Sequence, residues 1–211
     1  SITRWMILRA IAFPRSKQCM CRMRQIDLRN SGWLTFKEML HDYFPSSWYI
    51  IREKDMEIKF SNGSLIKFLG LDTKERIDFI LGTEWVTIFI NEATQVSYDT
   101  VTTLMTRMSQ KVEHNEFPEY FARPKIILDC NPKHKKHWLY VLCISNRDPA
   151  VDPPTPLDKN VHWKRLNWSP YDNVQNLHNS FFLTLDHLPL VKRARMRDGI
   201  WKNNDGSVYD I

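Results

Sequence analysis

The sequence is poor in glycine, and the spacing of the glycines excludes one class of nucleotide-binding motif. A phosphate-binding loop of the Gly-x-x-x-x-Gly-Lys-Ser/Thr type needs two glycines five positions apart, directly followed by lysine. The six glycines fall at positions 32, 63, 70, 82, 199 and 206. Since no two of them have the required spacing, the 211 residues contain no loop of this type.

Long apolar runs and a regular cysteine pattern are also absent. No apolar stretch approaches the roughly 18 residues of a transmembrane helix, and the N-terminus lacks the pattern of a signal peptide. Cys130 lies near His134 and His137, but a structural zinc ion needs four ligands and no second pair is nearby. The other cysteines are Cys19, Cys21 and Cys143, and the spacing of the four is not that of a disulfide framework. We expect a cytoplasmic protein with reduced thiols, no membrane span and no zinc.

The composition is that of a folded and basic protein. Hydrophobic residues make up 43% of the chain and aromatic residues 12%, which predicts a globular fold. The formal charge is +6 and the isoelectric point is about 9.1. A basic protein fits an anionic partner such as nucleic acid, although many ordinary enzymes are equally basic. Composition alone leaves both classes open.

Apolar periodicity predicts alternating helices and strands along the chain. Proline residues end the first two predicted helices, and a Ser-Asn-Gly-Ser turn separates two strands. The predicted elements are a helix over 2–12, a strand over 17–23, a helix over 28–44, paired strands within 48–69, a charged loop over 72–76, a strand over 85–90, a helix over 98–110, strands over 125–128 and 161–166, and helices near 174–185 and 189–197.

This alternation favours an α/β fold with a mainly parallel sheet flanked by helices. The segment Asp152–Pro156 contains three prolines and is the clearest linker, because proline continues neither a helix nor a strand ladder. We therefore predict a core domain over residues 1–150 and a small C-terminal subdomain over 151–211.

The strongest apolar run ends in two polar residues, Asn91 and Glu92. Ligands of open α/β sheets lie at the carboxyl ends of the strands, which is where Glu92 falls. A carboxylate at that place orients or deprotonates a water molecule that attacks a γ-phosphate. Asn91 stands where an aspartate usually organises Mg²⁺. The alternative is a sheet strand that merely ends in a polar turn.

A second apolar strand, Ile126–Leu128, is followed by Asp129, Cys130, Asn131 and Pro132. The amide of Asn131 is a candidate sensor of the γ-phosphate or of the attacking water. The alternative is an ordinary Asn-Pro turn between two elements.

Taken in order, these pieces resemble the ATPase domain of the large subunit of a tailed-phage terminase, the motor that packages DNA. No single piece is specific, whereas their order and spacing are. The matching stretches are Asn62-Gly63-Ser64-Leu65-Ile66, Phe68-Leu69-Gly70-Leu71-Asp72, Ile88-Phe89-Ile90-Asn91-Glu92-Ala93, Arg107, Asn131-Pro132, His137-Trp138, Asp172-Asn173, Leu185-Asp186-His187-Leu188-Pro189, Gly199-Ile200-Trp201 and Gly206-Ser207-Val208-Tyr209.

The resemblance implies a RecA-like (ASCE) P-loop NTPase core and a function in moving double-stranded DNA into a procapsid in the host cytoplasm. Glu92 would be the catalytic glutamate, Asn91 the metal-organising position and Asn131 a part of the coupling motif. ATP and Mg²⁺ are the implied cofactors. The implied partners are double-stranded DNA, the portal protein, the small terminase subunit and further copies of the chain in a ring.

Two parts of such a protein are expected to lie outside these residues. In the family the phosphate-binding loop directly precedes the first helix, and the metal-dependent nuclease domain follows the ATPase domain. We therefore expect the chain alone to bind ATP weakly, to hydrolyse it negligibly and to have no nuclease activity.

Several basic residues are candidates for phosphate or DNA contacts. Arg107 is a candidate phosphate-binding or trans-acting arginine, or a cation that complements a helix end. Arg22 and Arg24 are undecided between nucleotide, DNA and solvent. The densest cationic run is a candidate contact with the DNA backbone or a solvated helix face, and it comprises Lys192, Arg193, Arg195 and Arg197.

One alternative of a different class is a non-catalytic module that binds DNA or the portal, with a degenerate nucleotide site. The amide at Asn91 and the absence of a phosphate-binding loop favour it for this chain. A helicase-type ATPase outside packaging would require further helicase motifs, which the sequence does not contain.

Overall fold

The computed structural model describes residues 1–158 and 163–203. It contains two compact units, of which the first spans Ser1–Asp129 and the second begins at Cys130. The predicted domain boundary at residue 150 stays a proposal. Residues 161 and 162 of the predicted strand and the Gly206–Tyr209 stretch lie outside the described residues.

The first unit is built on a six-stranded mixed sheet. Its strands are β1 (Lys17–Arg22), β2 (Tyr49–Arg52), β3 (Glu57–Phe60), β4 (Leu65–Gly70), β5 (Thr87–Ile90) and β6 (Lys125–Leu128). They follow in the spatial order β2-β3-β4-β1-β5-β6. Strands β4, β1, β5 and β6 are parallel, whereas β3 pairs antiparallel with both β2 and β4. The predicted mainly parallel sheet is confirmed.

The two central strands are buried along nearly their whole length. Four consecutive residues of β1, from Gln18 to Cys21, are buried, and so are all four residues of β5. Parallel strands that are covered on both faces have such continuous apolar sequences. This burial fixes the place of residues 91 and 92, because they follow directly from a strand that has no freedom to slide.

The helices of the first unit are α1 (Ile2–Ala12), α2 (Gln25–Arg29), α3 (Gly32–Tyr43), α4 (Lys74–Leu81) and α5 (Tyr98–Met105). Helices α1 and α3 form one apolar core with the sheet residues Met20 and Phe68. The ring of Phe68 makes edge contacts with Trp33 and Phe36 of α3, each with centroids 4.9 Å apart. The predicted helix over 2–12 and the strand over 125–128 are confirmed.

The helix predicted over 28–44 is wrong in one respect, because two helices occupy this region. They are interrupted at Ser31, whose hydroxyl donates to the carbonyl of Asp27 at 2.6 Å and accepts from Arg22 at 2.9 Å. A serine that bonds its neighbours in this way competes with the helical ladder. The interruption places the N-terminus of α3 beside the end of β1.

Two further predictions need correction. The charged segment 72–76 enters a helix, α4, because the carboxylate of Asp72 pairs with Arg76 one turn later. The helix predicted over 98–110 ends at Met105. Beyond it the main chain bonds Trp85 instead, with Trp85 N–H donating to the Arg107 carbonyl and Gln110 N–H donating to the Trp85 carbonyl.

The second unit, by itself, contains short elements. They are α6 (Trp138–Cys143), a strand pair β7 (Arg147–Asp148) and β8 (Thr155–Pro156), a 3₁₀ helix Pro170–Asn176, α7 (Asn179–Asp186) and α8 (Leu190–Met196). The described part of the predicted strand, 163–166, is not in a strand. The helix predicted near 174–185 is divided at His178, which caps α7 through its ring nitrogen.

An ion pair is almost buried between β3 and β4. Glu57 lies opposite Lys67 in the ladder, and its carboxylate accepts from Lys67 Nζ at 3.2 Å. Burial acts to raise the pKa of Glu57, but the hydrogen bond and charge of Lys67, together with Lys59, more than offset it, so the pKa lies below its usual value. Because the pKa of Glu57 is lower in the folded than in the unfolded protein, the pair stabilises the fold at pH values above the unfolded pKa. This stabilisation is lost as the pH falls through the pKa of Glu57 in the folded protein.

Replacing Lys67 by methionine leaves the Glu57 carboxylate without its principal partner. We expect a loss of about 2–3 kcal/mol of unfolding free energy at pH 7, as for other partly buried pairs that lose one member. The loss should shrink as the pH falls below about 4.3, because a protonated glutamate needs no cation. Urea unfolding at pH 7 and at a pH below about 4.3 measures the two losses, and Lys54→Met, at an exposed residue, is the control. An equal loss at both pH values would contradict the assignment.

Candidate functional site

The carboxyl ends of the parallel strands meet at one edge of the sheet, and the polar residues of interest lie there. Arg22 ends β1, Asn91 and Glu92 follow β5, and Asp129 follows β6. Gly70 ends β4 and allows α2 to approach, since a Cβ at this residue would lie 2.6 Å from the backbone nitrogen of Gln25. The sequence therefore brings four polar side chains from three strands to a single edge.

Glu92 has an unusual backbone conformation. Its φ is 55° and its ψ is 47°, the left-handed region, which costs a residue with a side chain about 1–3 kcal/mol unless the surroundings hold it. Glu92 N–H donates to the carboxylate of Asp129 at 2.7 Å, and Ala93 N–H donates to the Asp129 carbonyl at 2.8 Å. These two bonds hold the turn that presents the Glu92 side chain.

Asn91 forms hydrogen bonds through its backbone and through its side chain. Its backbone N–H donates to the carbonyl of Cys21 in β1 at 2.8 Å. Its side-chain amide donates to both carboxylate oxygens of Asp129, at 3.0 and 2.9 Å. The amide nitrogen of Asn91 therefore faces a carboxylate on the neighbouring strand.

Asp129 is a residue of this edge to which sequence reasoning assigned no role. Burial raises the pKa of Asp129, although the hydrogen bonds from Glu92 N–H and Asn91 and the charge of Arg22 act in the opposite direction. The available signal was its position directly after a buried apolar strand, which is the position that Asn91 has after β5.

A cleft of about 300 Å³ opens beside these residues. The N-terminal residues of α1 and of α3 line it, together with residues from the ends of β1, β5 and β6. The lining residues are Ile2, Thr3, Met20, Ser31, Gly32, Thr35, Phe89, Asn91 and Asp129. Helix N-termini present free backbone N–H groups, so a cleft lined by them favours an anion.

The two undecided arginines of this region have different surroundings. Arg22 donates through Nη1 to Ser31, while its Nε is buried without a hydrogen-bond partner among the described residues. Arg24 is exposed, and its Nε lies 3.8 Å from Asp27. Arg22 is therefore part of the edge around the cleft, whereas Arg24 faces solvent.

A comparison with models of protein families shows the family of this chain. The family model described as phage terminase large subunit matches residues 1–180. The chain belongs to this family. No curated protein sequence matches it.

Fourteen chains of solved structures match as well. The large terminase of a thermophilic bacteriophage superposes with a TM-score of 0.70 and 19% identity, covering 99% of this chain and 46% of that one. The same large terminase in complex with ATP-gamma-S gives a TM-score of 0.63 at 17% identity, covering 95% and 43%. The ATPase domain of the Thermus phage P74-26 large terminase gives 0.59 at 11% identity, covering 95% and 82%.

These matches confirm the predicted RecA-like α/β core. The chain spans less than half the length of the thermophilic bacteriophage's large terminase. The edge of the sheet with Glu92 is thus the candidate functional site of this terminase chain.

Arg107 lies away from this edge in the terminase chain. Its carbonyl accepts from Trp85, which precedes β5, whereas Glu92 follows β5. The seven residue-to-residue steps from Trp85 to Glu92 span roughly 20 Å of extended chain. The structure therefore does not bring Arg107 to Glu92 within one molecule, and a role in trans stays a prediction.

The remaining candidates belong to the second unit. Asn131 is exposed and lies two residues after Asp129 along the chain. In and after α8, Arg197 pairs with Asp186 and Asp198, and Arg193 donates to the Asp186 carbonyl. Arg195 donates to the carbonyl of Lys202, and Lys192 is exposed. Within this run Lys192 is the residue best placed to contact an anionic surface.

Metal-binding groups and membrane-spanning helices are two further features that bear on function. Within residues 1–158 and 163–203, no three His, Cys, Asp or Glu side chains form a group that would hold a metal ion by themselves. His137 accepts from Leu139 N–H and caps α6. Over the same ranges, no helix has the length and apolarity that crossing a membrane requires.

Proposed function

We propose that this chain is the ATPase segment of a viral DNA-packaging motor, which couples ATP hydrolysis to the translocation of double-stranded DNA into a procapsid. The observation that supports the proposal is the constrained backbone of Glu92. Glu92 directly follows a buried strand, has a left-handed backbone, and is held by hydrogen bonds from its own N–H and from Ala93 N–H to Asp129, at the edge where α/β sheets bind their ligands.

The proposed reaction is an in-line attack of water on the γ-phosphorus of ATP. Glu92 accepts a proton from the attacking water or orients it, the bond from the γ-phosphorus to the bridging oxygen breaks, and ADP leaves. The large terminase of the thermophilic bacteriophage has been solved with ADP and with ATP-gamma-S, which supports a nucleotide as the ligand here.

The residues around the cleft fit a bound nucleotide. The N-terminus of α1 favours phosphate oxygens. Arg22, which donates to the cleft residue Ser31, adds a positive charge beside it. Asn91 directs its amide nitrogen to Asp129, which leaves its amide oxygen to accept from a metal-bound water. Mg²⁺, when bound with ATP, neutralises the charge of the phosphate oxygens.

The finer assignments form part of the proposal. Asn131 would sense the phosphate in the coupling segment, and Arg107 would act in trans on the site of a neighbouring copy in a homo-oligomeric ring. Lys192, Arg193, Arg195 and Arg197 are candidates for the phosphate backbone of DNA. The portal protein and the small terminase subunit are the proposed protein partners, and the host cytoplasm is the proposed location.

The domain assignment is likewise proposed as an ATPase core over residues 1–150 and a linker with a small subdomain over 151–211. Because these residues lack a Gly-x-x-x-x-Gly-Lys loop, we expect the 211-residue chain by itself to hydrolyse ATP negligibly. Measurements of hydrolysis therefore require the longest natural chain that contains these residues.

The test of the proposed function is ATP hydrolysis with and without double-stranded DNA at several salt concentrations. We expect stimulation by DNA of any sequence, since phosphate contacts are independent of sequence, and the stimulation should weaken steeply as salt rises. DNA binding without hydrolysis at saturating ATP would favour the alternative, a binding module with a degenerate nucleotide site. Strong preference for one DNA sequence would argue against a translocating motor.

A further inference from the structure

Asp129 bonds four consecutive residues at the end of β5. Its backbone N–H donates to the Ile90 carbonyl at 3.2 Å, and its carbonyl accepts from Ala93. Between them, its carboxylate accepts from the Asn91 amide and from Glu92 N–H. Parallel pairing of Ile90 with Leu128 delivers Asp129 to this place.

Of these hydrogen bonds, those to the carboxylate depend on the side chain, so they would be lost if residue 129 had an apolar side chain. An N–H bond to a carboxylate at 2.7 Å is charge-assisted and about twice as strong as a neutral one. It acts on the N–H of Glu92, the residue whose left-handed backbone needs to be held. If Glu92 left this conformation, its side chain would point in another direction.

We propose that Asp129 is a positioning residue for ATP hydrolysis, which sets the direction of the Glu92 carboxylate. This inference rests on the proposed function and deepens it, because it assigns a role to a residue that does not itself react. Its effect passes through Glu92.

The same contact accounts for the amide at position 91. A carboxylate on residue 91 would face the Asp129 carboxylate at the distance where Asn91 now donates, about 3 Å, and two like charges there repel. An amide at 91 and a carboxylate at 129 are therefore a matched pair. The negative charge that an aspartate at position 91 would carry is placed on the neighbouring strand instead.

The first experiment measures kcat and KM for ATP, in single-turnover format where rates are low, for Asp129→Ala, Asp129→Asn and Glu92→Gln. Asp129→Ala should lower kcat about 10²-fold, as expected for a misplaced reacting group, with a much smaller change in KM. Asp129→Asn keeps one acceptor for Glu92 N–H and should retain about ten times more activity than alanine. Asp129→Ala in the Glu92→Gln background should cause no further loss.

The matched control is Asp72→Ala. Asp72 follows β4, and its carboxylate also accepts a backbone N–H, that of Gln25 at 3.3 Å. It lies at a strand end without contact to Glu92, so we expect lower thermal stability and a kcat like that of the wild type. If Asp72→Ala lowered kcat as much as Asp129→Ala, both residues would only stabilise the fold and Asp129 would not position Glu92.

A second pair of variants keeps the test decisive if alanine prevents folding. Asn91→Asp alone should lose activity through repulsion, and Asn91→Asp combined with Asp129→Asn should regain most of it, because the amide and the carboxylate have then exchanged places.

The inference is overturned by a wild-type kcat for Asp129→Ala, by losses that multiply in the double variant with Glu92→Gln, or by the absence of recovery in the exchanged pair. If the wild-type protein does not hydrolyse ATP, or if Glu92→Gln keeps full turnover, the proposed function fails, and this inference falls with it.

Discussion

Replacing Glu92 by glutamine should lower kcat for ATP hydrolysis by about 10²–10⁴-fold, the usual contribution of a positioned general base. Glutamine has nearly the same size and keeps the backbone N–H that donates to Asp129, so the turn should remain intact. The free energy of unfolding should therefore stay within about 0.5 kcal/mol of the wild type. The measurement is single-turnover hydrolysis together with urea unfolding.

Glycine at the same position separates chemistry from backbone strain. Residues without Cβ adopt the left-handed region freely, so Glu92→Gly should be as inactive as glutamine and more stable than the wild type by about 0.5–1 kcal/mol. The exposed Glu38→Gln serves as the control for a change of charge in the same unit. A glutamine variant with normal turnover would remove Glu92 from the reaction.

Replacing Phe68 by alanine should cost about 3–5 kcal/mol of unfolding free energy, the range for large aromatic residues in cores. Phe68 is fully buried on β4, and its ring contacts Trp33 and Phe36 of α3. The cavity would open between the sheet and α3, the helix whose N-terminal residues line the cleft. Urea unfolding followed by far-ultraviolet circular dichroism measures the loss.

The control for this prediction is Phe117→Ala, which removes a ring that is 50% exposed. We expect it to cost about 1 kcal/mol or less, because only about half of its surface leaves water on folding. Equal losses at the two positions would mean that the packing of α3 on β4 contributes little to stability.

Local signals predicted those elements whose boundaries depend on their own residues. The helix Ile2–Ala12 was predictable because its apolar residues recur at near-helical spacing and Pro14 stops it, and Lys125–Leu128 was predictable as a short apolar strand between polar residues. The break at Ser31 and the early end of α5 at Met105 depend on distant partners. Arg22 donates to Ser31 at the break, and the main chain of Trp85 bonds the residues after Met105 that would otherwise continue α5.

The residues of the candidate site also differ in whether a local pattern in the sequence predicts them. The sequence pointed to Glu92, because an apolar strand followed by a carboxylate is a local pattern. It did not point to Asp129, whose contacts with Asn91 and Glu92 arise only when β6 pairs with β5 in a register that sets Leu128 beside Ile90. A register between two strands that lie far apart along the chain is a property of the whole sheet, not of either segment.

The positions of the four cysteines have a chemical consequence. Cys19 and Cys21 are buried in the first unit with their sulfur atoms 3.3 Å apart, whereas Cys130 and Cys143 are half-buried in the second. Burial raises the pKa of the Cys19 thiol well above its usual value, so this sulfur is scarcely ionised in the folded sheet. Since alkylating reagents attack the thiolate, the first unit should gain two reactive sulfurs only when its sheet opens. Counting alkylated cysteines by mass therefore reports whether the sheet of the first unit remains folded.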